Sequence, residues 1–339
     1  MKRAIMYGAG DLRLEDCPLD CERLEPDQLY VETQVTALST GTDLGNYLGS
    51  SIYVPGAPGY PRPVGYSNVG VVCGVGSAVR GLEPGQRIFS TRPHQSAFLA
   101  RNSDLLLPVP QGLASDVASL SYLTHLSLAA LRQASYQTGE NVAIIGLGAI
   151  GLCCTALAKA MGANVVAIGN SGLRTDIAHQ IGADLTCKSD GPLLAAELGK
   201  FLGETGIDIV ILTANSWNAY RQSLEIARPG GRICLLGFPG RDQKPPDFNP
   251  LDPQWVYAKQ LAIFGSGSAP QTDCPPSDLR FNTRRNLQYI LELMASGTMD
   301  LGPIISHRLP ATKMRYAYEL AVKHSKELVA AIFKWEGSE

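Results

Sequence analysis

Asn141-Val142-Ala143-Ile144-Ile145-Gly146-Leu147-Gly148-Ala149-Ile150-Gly151 is the stretch that decides the fold of this chain. Asn141–Ile145 is a short apolar run of strand length. The Gly-x-Gly-x-x-Gly after it opens a run of helical pattern, Ala149–Met161. A lone glycine pattern of this kind is weak, but one that leaves a strand and enters a helix has a mechanical meaning. Gly146 permits the tight turn, Gly148 lets backbone approach a diphosphate, and Gly151 lets helix pack closely on strand. The N–H groups at the helix start, those of Ala149 and Ile150 included, then face an anion. The stretch therefore predicts a dinucleotide site.

The pattern continues downstream. Strands are predicted at Asn164–Ile168, Ile207–Leu212, Arg232–Leu236 and Leu261–Phe264, with helices at Leu173–Ile181, Trp217–Ala227 and Asn282–Ser296. Apolar strands alternating with helices give a parallel sheet covered by helices. The cofactor type is read at the end of the second strand, where an acid would bind a ribose 2′-hydroxyl. Here Ile168 runs into Gly169-Asn170-Ser171-Gly172-Leu173-Arg174, with no carboxylate. Gly169 is expected to leave room, Asn170 and Ser171 to donate, and Arg174 to pair with a 2′-phosphate. NADP(H) is expected over NAD(H). The bland alternative for Arg174 is a solvated helix residue.

Upstream, to about Gln111, the chain is rich in Gly, Pro and β-branched residues. Strand-like runs at Leu29–Val35, Asn68–Cys73, Arg87–Phe89 and Ala97–Ala100 are separated by turns such as Glu83-Pro84-Gly85-Gln86. This reads as an irregular all-β unit. A helix is predicted over Asp116–Ala134, and Gly237–Pro253 reads as a surface loop. With 339 residues, two domains are expected.

Composition narrows the function. A net charge of −2 without a long basic run argues against nucleic acid and anionic membrane as partners. No apolar stretch reaches bilayer length, and the first residues lack an apolar signal region, so a cytoplasmic location is expected. The eight cysteines are scattered; the reading is buried, reduced thiols, with Cys17 and Cys21 a weak metal pair at best.

The order of parts resembles the medium-chain dehydrogenase/reductase superfamily, the zinc-type alcohol dehydrogenases and quinone reductases, over nearly the whole length. The matching stretches are Ala37-Leu38-Ser39-Thr40-Gly41-Thr42-Asp43, Gly65-Tyr66-Ser67-Asn68-Val69-Gly70-Val71-Val72, Pro84-Gly85-Gln86-Arg87-Ile88, Gly146–Gly151 and Arg228-Pro229-Gly230-Gly231-Arg232. The resemblance implies an α/β fold. A GroES-like irregular β-barrel catalytic domain would span 1–112 and 300–339. A Rossmann doubly wound parallel sheet would span 113–299, with the active site in the cleft between them. By the same resemblance the strand Leu261–Phe264 would pair with a second copy, giving a homodimer.

The departures from the family carry the most information. Zinc-dependent members have Cys before the Gly-Thr-Asp triplet, and Thr40 stands there. They have Gly-His-Glu where this chain has Gly65-Tyr66-Ser67. A further cysteine is replaced by Tyr122, and the four-Cys zinc lobe is absent between Ala100 and Ala114. Catalytic zinc needs three Cys, His or acid ligands, so the resemblance points to a zinc-less subgroup. Without a metal, hydrogen-bond donors must meet a developing oxyanion. The candidates are Thr42, Tyr66, Ser67, Tyr122 and His94. Thr42 matches the family position whose hydroxyl relays a proton, and Tyr66 puts a phenol where a metal ligand stood. Each has a structural alternative: Thr42 as a cap of Asp43–Leu48, Tyr66 and Tyr122 as filling, His94 as a surface-loop residue. Asp43 reads as a turn residue accepting backbone bonds, and His125 as a helix histidine.

The expected activity is NADPH-dependent hydride transfer to a small molecule. Reduction of an activated C=C, in an enone or enoyl substrate, comes first. A zinc-independent alcohol dehydrogenase or ketone reductase is the alternative, and a non-catalytic dinucleotide-binding sensor is the alternative of another class. The pocket is expected from Leu44–Pro58, Tyr122 and Ser266–Pro276, with Tyr47–Pro61 as a lid or a surface turn.

Overall fold

A computed structural model describes residues 1–49, 59–189, 194–266, 282–323 and 325–335. The stretches proposed for the pocket and lid, Leu44–Pro58, Ser266–Pro276 and Tyr47–Pro61, lie partly or mostly outside those residues, as does Cys274. The chain divides into two units: Met1–Tyr122 with Pro270–Gly297 and Ile305–Glu339, and Leu123–Ala269 with Thr298–Ile304.

The first unit is built mainly from strands whose side chains alternate between core and surface. The hairpin of β1 (Lys2–Gly8) and β2 (Asp11–Asp16) turns Ala4, Met6 and Leu12 inward. The long β3 (Gln28–Ala37) leads to α1 (Thr42–Leu48). Then come β4 (Arg62–Pro63), β5 (Asn68–Val75), β6 (Arg87–Ser90), β7 (Ala97–Arg101) and β8 (Leu106–Pro108). One small sheet has the order β2-β1-β4. A larger one runs β5-β6-β8 on one side of β3, with β7 also pairing β3. Two core clusters hold the unit. One gathers Leu29, Val31, Val72, Ile88 and Phe98 from the larger sheet; the other gathers Met6, Leu38, Tyr47, Tyr318 and Phe333.

The second unit contains most of the alternating run. α2 (Ser115–Ala118) closes the first unit, and α3 (Ser121–Gln133) carries the chain onward. Thus the single helix predicted over Asp116–Ala134 is two helices. The step between them frees the Ser119 carbonyl, which accepts the Ser67 hydroxyl. The strands and helices that follow are β9 (Asn141–Ile145), α4 (Ala149–Ala160), β10 (Asn164–Gly169), α5 (Gly172–Gln180), β11 (Leu185–Lys188), α6 (Leu194–Leu202), β12 (Ile207–Leu212), α7 (Trp217–Ile226), β13 (Ala227–Leu235) and β14 (Ala262–Gly265). All five strand pairs are parallel, in the order β11-β10-β9-β12-β13-β14. All of β9 is buried, as a central parallel strand requires. This is the doubly wound sheet that the sequence predicts. β11 and α6 are additions to that reading.

The chain ends with α8 (Thr283–Ala295), β15 (Ile305–Pro310), α9 (Met314–Val322) and β16 (Ala330–Lys334). β16 pairs antiparallel with β3 and parallel with β15, so the return extends the larger sheet of the first unit. α8 packs on α2 and β8, with Arg284 donating to the carbonyls of Leu106 and Asp104. Every described cysteine is a free thiol, and no described helix is long and apolar enough to cross a membrane.

Candidate active site

In the first unit, the segment between β3 and α1 and the segment between β4 and β5 come together around one buried carboxylate. Asp43 is 1% exposed. Its Oδ2 accepts the Ser39 N–H at 2.9 Å and its Oδ1 accepts the Gly65 N–H at 3.2 Å. A carboxylate buried this deeply needs such donors, and here they tie the two segments to each other. The turn role read from sequence for Asp43 is therefore only half of what it does.

Tyr66 sits on that tie. Its hydroxyl donates to the Ser39 hydroxyl, and its ring meets Tyr122 edge to face at 5.1 Å between centroids. Burial and then the Asp43 carboxylate push the Tyr66 phenol above the ordinary tyrosine range; hydrogen bonds with Ser39 and Thr42 pull the other way. Burial also raises Tyr122. Thr42 is exposed and is the first residue of α1. The residue before the helix is Gly41, with no side-chain cap, so Thr42 is not the cap that its bland reading supposed. Ser67 is buried and its hydroxyl donates to the Ser119 carbonyl.

His94 is 0% exposed and so is not a surface-loop residue. Its ring meets Phe333 edge to face at 5.3 Å, and Nε2 lies 3.9 Å from Asp43 Oδ2, beyond hydrogen-bond length. Neither ring nitrogen has a hydrogen-bond partner among the described residues. Gly65, at φ +85°, packs against this ring: a Cβ there would lie 2.5 Å from it. The structure thus gathers Thr42, Tyr66 and Tyr122 and sets His94 behind Gly65. Ser39, the partner of Tyr66, is a member that sequence reading missed. Its signal was weak: a serine one residue from a family metal-ligand position.

The zinc expected of related enzymes can be tested on the donor set. The sequence resemblance puts Thr40, Tyr66, Ser67 and Tyr122 at the ligand positions, and the Tyr66 and Ser67 hydroxyls already donate within the protein. Among the described residues no three His, Cys, Asp or Glu side chains come together to hold a metal ion. These residues do not fit a zinc site, which takes three ligands of that chemistry.

In the second unit, Gly146 has φ +99° and Gly148 stands at the start of α4 with open space where a Cβ would be. A Cβ on Gly151 would lie 1.9 Å from the Gly146 carbonyl oxygen. The three glycines therefore serve a turn, an open approach and a close packing. Beyond β10, Asn170 is exposed, Ser171 precedes α5, and Arg174 is half-buried, with burial lowering its pKa. Gly169 has a reason other than the expected one. A Cβ there would lie 2.8 Å from Leu147, so the space is taken by a side chain of the glycine loop itself. His125 lies buried on α3, where burial and then the Arg132 charge lower its pKa to about 4.

The chain is similar to known dehydrogenases. Residues 149–282 match the zinc-binding dehydrogenase family. An alcohol dehydrogenase of Cupriavidus necator is 24% identical, with 94% of each chain covered. Galactitol-1-phosphate dehydrogenase from Escherichia coli shares the fold with a TM-score of 0.80 at 20% identity, covering 98% of this chain and all of that one. A dehydrogenase of Sinorhizobium meliloti, described as zinc-binding and bound to NADP, has a TM-score of 0.73 at 20% identity, with 98% of each covered. The chain is thus similar to dehydrogenases along nearly its whole length, in line with the resemblance of its motifs to the medium-chain dehydrogenase/reductase superfamily.

Proposed function

We propose that this chain is an NADP(H)-dependent oxidoreductase that works without a catalytic zinc and uses Tyr66 as its proton donor. The observation that carries this reading is the hydrogen-bonding of Tyr66, a phenol where the resemblance places a metal ligand, with the hydroxyls of Ser39 and Thr42. The nicotinamide cofactor supplies or accepts the hydride when bound. Gly146, Gly148, Ala149, Ile150 and Gly151 would hold its diphosphate, and Gly169, Asn170, Ser171 and Arg174 its adenosine end. The lack of an acid after β10, with a half-buried guanidinium nearby, favours a 2′-phosphate.

The chain's own part is proton management. Burial and Asp43 disfavour the phenolate, so Tyr66 rests protonated, and it can give its proton to a substrate atom that becomes more basic than the phenolate as hydride arrives. Ser39 and Thr42 can donate to the oxygen once the proton has left, and exposed Thr42 links it to solvent. His94, fully buried, supports Gly65 rather than reacting. An activated C=C is the first substrate reading, because a conjugated system spreads the developing charge and needs no metal to hold it. Carbonyl reduction, or its reverse on an alcohol, is the second reading, favoured by the alcohol and galactitol-1-phosphate dehydrogenases among the relatives. A homodimer through β14 belongs to the same reading; a monomer mass in solution scattering would overturn it.

Fluorescence titration with NADPH and NADH tests the cofactor. Tighter NADPH binding is expected, and binding of neither would return the chain to the non-catalytic sensor class. Turnover of 2-cyclohexen-1-one against cyclohexanone with NADPH then separates the two chemistries. With whichever substrate reacts, Tyr66→Phe is expected to slow turnover by about 10²–10⁴-fold with NADPH affinity unchanged. Unchanged turnover would remove Tyr66 from the mechanism.

A further inference from the structure

The order of the parallel sheet places its topological switch between β9 and β12. From β9 the chain goes to β10 and β11 on one side, then returns to β12 and β13 on the other. Dinucleotides lie across such a crevice, outside the carboxyl ends of the strands. One side chain spans it. Thr213, the residue after β12, donates its hydroxyl to the Gly146 carbonyl at 2.6 Å. Its own N–H and that of Ala214 both donate to the Ile145 carbonyl, at 2.9 Å and 3.2 Å.

The glycines of the loop are shaped around this hydroxyl. A Cβ on Gly146 would lie 2.8 Å from Thr213 Oγ1, and one on Gly151 would lie 3.0 Å from it. The loop after β13 closes on the same residue: a Cβ on Gly237 would lie 2.7 Å from the Thr213 carbonyl oxygen. Thr213 thus sits where the segments leaving three neighbouring strands meet.

We propose that Thr213 is the positioning residue of the dinucleotide site, acting through Gly146. An anion-binding loop must present N–H groups and withhold carbonyl oxygens. The Thr213 hydroxyl holds the Gly146 carbonyl on β12, so that this oxygen cannot turn toward a diphosphate and the start of α4 stays fixed. The Thr213 hydroxyl acts on Ile145 and Gly146 and not on the residues assigned to the adenosine end, so its effect falls on NADPH and NADH alike. This inference rests on the cofactor reading above.

The test is titration of Thr213→Val, Thr213→Ser and wild type with NADPH and with NADH, with thermal melts to confirm folding. Val keeps the shape and loses the hydroxyl; Ser keeps the hydroxyl. Thr213→Val is expected to weaken both nucleotides by the same factor, about tenfold, as for one lost hydrogen bond. Thr213→Ser is expected to stay within about twofold of wild type on the same scale. Should Thr213→Val not fold, Thr213→Ala makes the same comparison against Ser. A hydroxyl-less variant that binds as wild type overturns the proposal while leaving the cofactor reading standing. So does a Ser variant as weak as Val, which would assign the effect to packing, or a change in the NADPH-to-NADH ratio. A wild-type chain that binds neither nucleotide overturns both.

Discussion

The glycine loop of the second unit and the hydroxyl group of the first unit are both built from small or polar residues at the ends of strands, yet they are specified in opposite ways. The loop is defined by what cannot be present. Gly151 has no room for a Cβ because the Gly146 carbonyl is 1.9 Å from where it would be. All its parts lie within six consecutive residues, so local backbone geometry writes directly into the spacing. The hydroxyl group is defined by what is present: Ser39, Thr42, Tyr66 and Tyr122, from three separate segments, two tied through the Asp43 carboxylate and the third by the Tyr66–Tyr122 ring contact. Nothing in the spacing of these residues requires them to meet. A site made by exclusion is legible in a sequence; a site made by convergence is legible only as a set of unusual residues.

Three substitutions press on that contrast. Gly151→Ala should have the largest effect, because its Cβ meets backbone that cannot swing aside. A loss of about 3 kcal/mol of stability and of nucleotide binding is expected, read by thermal melts and titration. A stable, binding variant would show that the loop is not close-packed. Gly148→Ala should separate binding from folding. Its φ of −77° suits any residue and no atom stands within 4 Å of a Cβ there. The melting temperature should hold while NADPH affinity falls about tenfold or more, since the added methyl meets only the ligand. Equal affinity would move the diphosphate away from Gly148. Ser39→Ala should be the mildest. It removes the Tyr66 partner and should slow turnover about tenfold, with little change in NADPH affinity. Turnover equal to wild type would make the Ser39 contact incidental to catalysis.

Much of the fold could be read in advance, for a physical reason. The strands β9, β10 and β12 are apolar but for Asn141, Asn164 and Asp208, because a central parallel strand is covered on both faces, and the apolar runs match the strands to within a residue. The hairpin β1–β2 escaped because only alternate residues face the core and the inward set is short. β11 and α6 escaped for a similar reason: few of their residues are buried, Cys187 in the strand and Leu198 in the helix. The helix predicted across Asp116–Ala134 is broken, because the Ser119 carbonyl turns to the Ser67 hydroxyl, a tertiary contact invisible to periodicity.

The candidate sites divide along the same line. By itself the sequence determined the doubly wound sheet, the glycine loop at its centre, the missing acid after β10 and the hydroxyl side chains of Thr40, Thr42, Tyr66 and Ser67. Each of these follows from residue type and local spacing. Only the tertiary structure decided that Ser39 holds Tyr66, that His94 lies buried behind Gly65, that Leu147 fills the space beside Gly169, and that Thr213 reaches across to Gly146. Those contacts join residues far apart in the chain, and burial and hydrogen bonding select them only after the sheets have formed.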